Sequence, residues 1–206
     1  LACIFLMATW CVGQDSWLLK VASILLYGLF GGRCGWVQHE AGHRSFIGDK
    51  FYDDRIQKCT MGFGLLTSAS LWNNMHNKHH AATQKVGHDV DLDTMPFVLF
   101  HNDLLKKNRG FSKWWLQYQN WTFLPITSGV FVMLFWIYYL HPRKIIRDRD
   151  YEQGFYTLMG HVGRTYVILK VSHMSVLESY LTLMASMYVT GVYLFGHFST
   201  SHTLMP

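Results

Sequence analysis

WLLKVASILLYGLFGGRCGWVQHEAGH, residues 17–43, decides how the chain is read. Trp17–Val37 is apolar over a length that can cross a bilayer, which takes about 20 residues. It runs directly into His39-Glu40-Ala41-Gly42-His43. Lys20 and Arg33 fall near its two ends, where long cationic side chains reach the membrane surface. On a helix, positions i and i+4 share a face, so His39 and His43 point the same way. A second pentad, His76-Asn77-Lys78-His79-His80, repeats the pattern, with His79 beside the pair at i+3. Neutral imidazole suits iron, copper, nickel and zinc. His39, His43, His76, His79 and His80 are therefore candidate metal ligands in a membrane setting.

Composition agrees with that setting. Of 206 residues, 50% are hydrophobic and 16% aromatic, against 15% charged. This suits one membrane domain whose Trp and Tyr sit at lipid–water interfaces. The net charge is +5, and ten of the eighteen Lys and Arg lie between Arg44 and Lys113. Basic excess beside membrane segments marks the cytoplasmic side. Asp49, Asp53, Asp54, Asp89, Asp91, Asp93 and Asp103 are interleaved with it. With no nucleic-acid motif present, no nucleic-acid partner is expected. Cys3, Cys11, Cys34 and Cys59 show no paired spacing, so neither a disulfide framework nor a Cys-based zinc site is expected.

Leu1–Gly13 reads as the exit half of a span, and Gln14-Asp15-Ser16 as a lumenal turn. Trp17–Val37 then completes a hairpin that delivers the first pentad to the cytoplasmic surface. Met61–Trp72 is apolar but short, an interfacial or buried helix leading into the second pentad. Val90–Lys113 reads as short helices and loops on the cytoplasmic face, and Ser112–Asn120 as headgroup-level sequence rich in Trp, Tyr and Gln. Two arrangements remain open beyond that point. Trp121–Leu140 pairs with Val176–Gly196 in one, leaving Arg143, Lys144, Arg147 and Arg149 lumenal. In the other, Trp121–Leu140 lies in the interface and Phe155–Val171 pairs with Val176–Gly196. Both return His197 to the side of the pentads. The fold class expected is all-α: an integral membrane helical bundle of two transmembrane hairpins, with a cytoplasmic cap holding the histidines.

His-Glu-x-x-His is also the zinc-protease pattern, in which the Glu is the base, and Glu40 fits it. A zinc site of that kind needs only one protein ligand beyond His39 and His43, which gives no reason for His76, His79 and His80 together. A dinuclear site uses the surplus. Soluble di-iron bundles supply mostly carboxylates, so an imidazole-rich di-iron centre would be of another type. Asp89, Asp91 and Asp93 alternate and share a face if extended, where carboxylates can hold ligand imidazoles by their second nitrogen. Asn73, one turn before His76, and Glu40 are candidate supporting residues. His88, His101, His141, His161 and His173 lack ligand spacing and read as structural.

The two pentads match the first two histidine boxes of the membrane fatty acid desaturases. More specifically, Gly35-Trp36-Val37-Gln38-His39-Glu40-Ala41-Gly42-His43, Trp72-Asn73-Asn74-Met75-His76-Asn77-Lys78-His79-His80, His88-Asp89-Val90-Asp91-Leu92-Asp93-Thr94 and His197-Phe198-Ser199-Thr200-Ser201-His202 resemble the front-end branch. The resemblance covers essentially the whole chain. It implies oxygen-dependent insertion of a double bond between an existing one and the carboxyl end of a polyunsaturated acyl chain. It further implies two iron ions, with electrons from cytochrome b5 and its reductase, and His197 as a sixth ligand. The substrate would be a fatty acyl chain carried on CoA or phospholipid. The location would be the endoplasmic reticulum membrane, with the boxes facing the cytoplasm. Arg44 and Lys78 are candidate contacts for an anionic headgroup or an acidic donor protein. Residues 1–206 are expected to be a desaturase membrane domain truncated at both ends, without the third histidine box and the fused cytochrome b5 domain of this branch, and inactive alone. Alternatives are a histidine-box di-iron hydroxylase or ketolase, and a non-catalytic membrane protein retaining a structural metal site.

Overall fold

The computed structural model describes residues 1–91, 93–94, 98–100 and 110–202. Helices α1 (Ala2–Val12) and α2 (Trp17–Gly42) form an antiparallel hairpin. The Thr9 and Tyr27 hydroxyls meet at 2.8 Å, and the Phe5 ring sets its edge on Tyr27. Helix α2 does not end where its apolar run does. It continues through Gly42, with His43 closing its last turn, so the first pentad is the tip of a membrane-length helix.

Helix α3 (Lys50–Cys59) starts at Asp49, whose carboxylate accepts the Phe51 and Tyr52 N–H groups. Such capping satisfies donors that the first turn leaves free. A π-helical turn, Thr60–Gly64, extends it inward. The chain then reverses at Leu66-Thr67-Ser68, with Leu66 at φ +60°, and α4 (Ala69–Ala81) carries it back out. Met61–Trp72 is therefore not one short helix. It is buried, and a reversal splits it. Gln153 stabilises that reversal, since its amide donates to the Thr67 carbonyl and accepts the Ala69 N–H.

A two-residue antiparallel ribbon, β1 (Asp93–Thr94) with β2 (Val98–Leu99), is the only strand structure among the described residues. It falls in the segment expected to hold short helices and loops, while His101 lies outside the described residues. Helix α5 (Phe111–Leu116) leads to α6 (Gln119–Asp148), which contains π-helical stretches at Phe123–Val132 and Trp136–Leu140. Helix α7 (residues 151–171) and α8 (Val176–His202) complete the chain.

Helix α8 lies along α2 in the same direction. Gly28, Gly31, Gly32 and Gly35 face Val189, Thr190, Tyr193 and Leu194 so closely that a Cβ on any of these glycines would stand 2.3–2.5 Å from its neighbour. Lipid gives helices little hydrophobic reason to associate, so small residues that permit close backbone contact take that role. Serine and threonine hydroxyls are buried in the same seam, and Thr190 Oγ1 donates to the Gly28 carbonyl. Outward faces carry Leu6, Trp10, Leu18, Leu25, Leu158, Val162, Leu177 and Leu181 exposed, as a lipid-facing surface requires.

Helices α2, α6 and α8 are each long and apolar enough to cross a membrane. Both ends of α6, however, lie near the histidine end of the bundle. Leu124 sits against Gly196 near the end of α8. At the other end, Asp150 just beyond α6 pairs with Lys58, on the helix whose Gln57 touches Gly42. Helix α7 runs from Lys58 to the opposite end, where Val171 meets Gly13. Between its ends α6 packs down α8, with Gly129 against Tyr188 and the Tyr138 hydroxyl meeting that of Tyr180. The Asp150–Lys58 pair keeps the end of α6, with Arg147 and Arg149, near the pentads.

Candidate metal centre

The tip of α2 and the outward run of α4 bring the two pentads together. The ring centroids of His39 and His43 are 4.7 Å apart, those of His39 and His76 4.9 Å, and those of His43 and His80 4.9 Å. His76 Nε2 stands 3.0 Å from both His43 Nε2 and His80 Nε2. One nitrogen has either one hydrogen or one lone pair, so it cannot satisfy two such neighbours along separate axes. A metal ion can. With metal–nitrogen bonds of about 2.1 Å, ligands at right angles stand about 3.0 Å apart. The donor set therefore fits a metal, and donor atoms of His39, His43 and His76 gather within 4.8 Å of one another.

Supporting contacts occupy a ring nitrogen of His79 and of His39. His79 Nδ1 lies 2.8 Å from Asp89 Oδ1 and 3.4 Å from Asp91 Oδ2. His39 Nδ1 lies 3.2 Å from Glu40 Oε1, and the Ser45 hydroxyl donates to the same carboxylate. A carboxylate on Nδ1 fixes the tautomer and leaves Nε2 to bind metal. Glu40 is on the back of its ring, where it is not placed as a protease base. Asp89, buried with no side-chain exposure, would be pushed up by burial. Instead, hydrogen bonds from His79 and the Asp91 and Gln84 N–H groups hold its carboxyl below the usual range. Asp91 is raised by burial. Burial, followed by the surrounding imidazoles, pushes His76 down to about 3. His80 is lowered for the same reasons. These rings are neutral at neutral pH, as metal ligands must be.

Asn73 is one step further back than expected. It exchanges amide hydrogen bonds with Gln57 at 2.7 and 3.0 Å, and Gln57 reaches Gln38 at 3.4 Å. This amide ladder ties α3 to α2 and α4 behind the rings. His197 projects from α8 to the same end, 4.7 Å from the Tyr193 ring and 6.1 Å from Trp36, which also meets His39 at 6.4 Å. Trp36 thus contacts both histidines. Trp72 stacks on His76 at 4.1 Å. Arg44 pairs with Asp54 at 3.8 Å, and Lys78 is exposed. The side chains of Asp93 and His202 lie outside what the structure describes.

Sequence reasoning missed Gln57 and Trp72, the latter lining an apolar cavity. Trp72 is four residues before His76, the spacing that stacks side chains on a helix, so it was findable. Gln57 carries no such signal. The cavity holds about 340 Å³ and reaches from His76 past Trp72, Leu65 and Phe198 to Met133 and His141. Its walls are mostly apolar and aromatic.

Residues 15–204 match the fatty acid desaturase family. The chain is 40% identical to an acyl-lipid (8-3)-desaturase of Rebecca salina over 90% of this chain and 43% of that protein. It is 34% identical to an acyl-lipid (8-3)-desaturase of Thraustochytrium sp over 98% of this chain and 46% of that protein. It is 33% identical to a Delta(5) fatty acid desaturase of Caenorhabditis elegans over 50% of this chain and 24% of that protein. The chain spans less than half the length of these relatives, and no solved structure matches it. The resemblance read from the histidine blocks is borne out, and the chain belongs to the fatty acid desaturase family.

Proposed function

We propose that the protein carrying this chain performs oxygen-dependent front-end desaturation of polyunsaturated fatty acyl chains, in the endoplasmic reticulum membrane with its histidines facing the cytoplasm. His39, His43, His76, His79 and His80 would hold two iron ions, with His197 as a further ligand, and cytochrome b5 with its reductase would supply electrons. Bound iron would supply the oxidising power that removes hydrogen from unactivated methylenes, which have no proton acidic enough for a side-chain base. The residues described here have other tasks. Asp89, Asp91 and Glu40 orient imidazoles, and the Gln57–Asn73 pair fixes the distance between the two pentads. The cavity walls exclude water and hold the chain extended beside His76.

The observation that carries this reading is an apolar cavity of about 340 Å³ that opens onto His76, a member of the imidazole cluster. The relatives named above are called desaturases, two of them acyl-lipid (8-3) enzymes. Fatty-acid profiling of yeast expressing the full-length protein, fed eighteen- and twenty-carbon polyunsaturated acids singly, tests it. A product with one additional double bond that disappears with His79→Ala is expected. A hydroxylated product, or none despite bound iron, would overturn it.

A further inference from the structure

His141 is buried in α6, with its Nδ1 2.8 Å from the Ser68 backbone nitrogen and 3.0 Å from the Ser68 hydroxyl. A backbone N–H only donates, so Nδ1 carries the lone pair and the hydrogen of the neutral ring is on Nε2. Among the described residues no atom accepts from Nε2. Nor is Nε2 among the buried polar atoms sealed without a partner. It opens onto the space that the ring lines, the cavity that reaches His76. Around it are Trp136, Met133, Leu140 and Phe195.

A single N–H in an apolar wall is costly unless the occupant accepts from it. Methylenes cannot accept, whereas the π cloud of a carbon–carbon double bond can, weakly. His141 is also buried, beside the fully buried Ser68, away from the solvent that the polar head of an acyl chain requires. Building on the acyl reading of the cavity, we propose that His141 is a specificity-determining residue. Its Nε2–H faces a cis double bond already present in the bound chain, which favours unsaturated over saturated chains.

The test is equilibrium binding of radiolabelled linoleate and stearate to the purified full-length protein in detergent, for wild type, His141→Leu and His141→Gln. Wild type should prefer linoleate about threefold to tenfold. His141→Leu should remove the preference, and His141→Gln, whose amide can accept from Ser68 and still donate, should keep it. Equal binding by wild type overturns the proposal whether or not the Leu variant folds. A preference that survives His141→Leu, or an equal loss of both ligands there, also overturns it, the latter pointing to the head group. Wild type that binds neither acid overturns the acyl reading as well. Binding with the expected preference but no desaturated product in cells overturns only the proposed reaction.

Discussion

His79 Nδ1 and Asp89 Oδ1 meet at 2.8 Å, both side chains almost wholly buried. The loop that follows the second pentad thereby sets which nitrogen of His79 faces the cluster. The same carboxylate accepts the N–H groups of Gln84 and Asp91, so it shapes the loop and orients the ligand together. Asp89→Asn keeps the size but loses the charge and an acceptor. Loss of such a supporting carboxylate typically weakens metal affinity about 10- to 100-fold. Iron content after dialysis against graded chelator should show that drop, and Asp91→Asn should show a smaller one.

The seam between α2 and α8 makes a different demand. A Cβ on Gly31 would stand 2.3 Å from Thr190 Oγ1, so Gly31→Val must separate the helices. Overpacking of this kind costs about 1–3 kcal/mol. The shift should also displace the tip of α2 relative to α8. Thermal unfolding in detergent should fall, and iron content should fall with it. Gly48→Ala makes a useful contrast, because its Cβ would meet nothing within 4 Å. There the cost comes only from φ +85° and should leave metal binding intact.

Helical period and apolar length made the pentads, the first hairpin and α8 legible from residue types alone. Asp89 and Asp91 were legible too, because alternation beside a ligand block is a local pattern. The reversal at Leu66–Ser68 was not, since no glycine or proline marks it and a side chain 84 residues away supports it. The course of α6 was hidden for a related reason. Its composition satisfies a membrane span, and only contacts with Gly196 and Lys58 bring both its ends to one side. Gln57 and His141 are single polar residues without periodicity, and their importance lies wholly in what tertiary packing sets against them.

Gln153 is fully buried and serves four groups: the Ala69 N–H, the Lys58 and Thr67 carbonyls and the Thr157 hydroxyl. Gln153→Leu preserves the volume and orphans the Ala69 N–H, while the Thr67 carbonyl keeps only the Thr157 hydroxyl at 3.3 Å. A buried unsatisfied polar group costs about 1–3 kcal/mol, so the variant should lose about that much stability. Proteolysis should find the Leu66–Ala69 reversal more readily in the variant, because α4 loses its anchored start. An unchanged cleavage pattern there would show that the reversal holds without Gln153.

Acid sensitivity of the metal-stripped protein follows from His76. Burial and the neighbouring imidazoles put its folded pKa at about 3, against about 6.5 in an unfolded chain. Between those values the unfolded state holds a proton that the folded state does not, so stability falls as the pH drops below 6.5. Each pH unit in that window removes at most about 1.4 kcal/mol through this one group. From pH 7 to pH 5 the loss is thus up to about 2 kcal/mol, and His80, shifted the same way, adds to it. Unfolding midpoints measured across that range should decline steeply for the wild-type protein. His76→Asn, with nothing to titrate, should flatten the decline even if it starts from a lower midpoint. An equal slope in both proteins would place the acid sensitivity elsewhere.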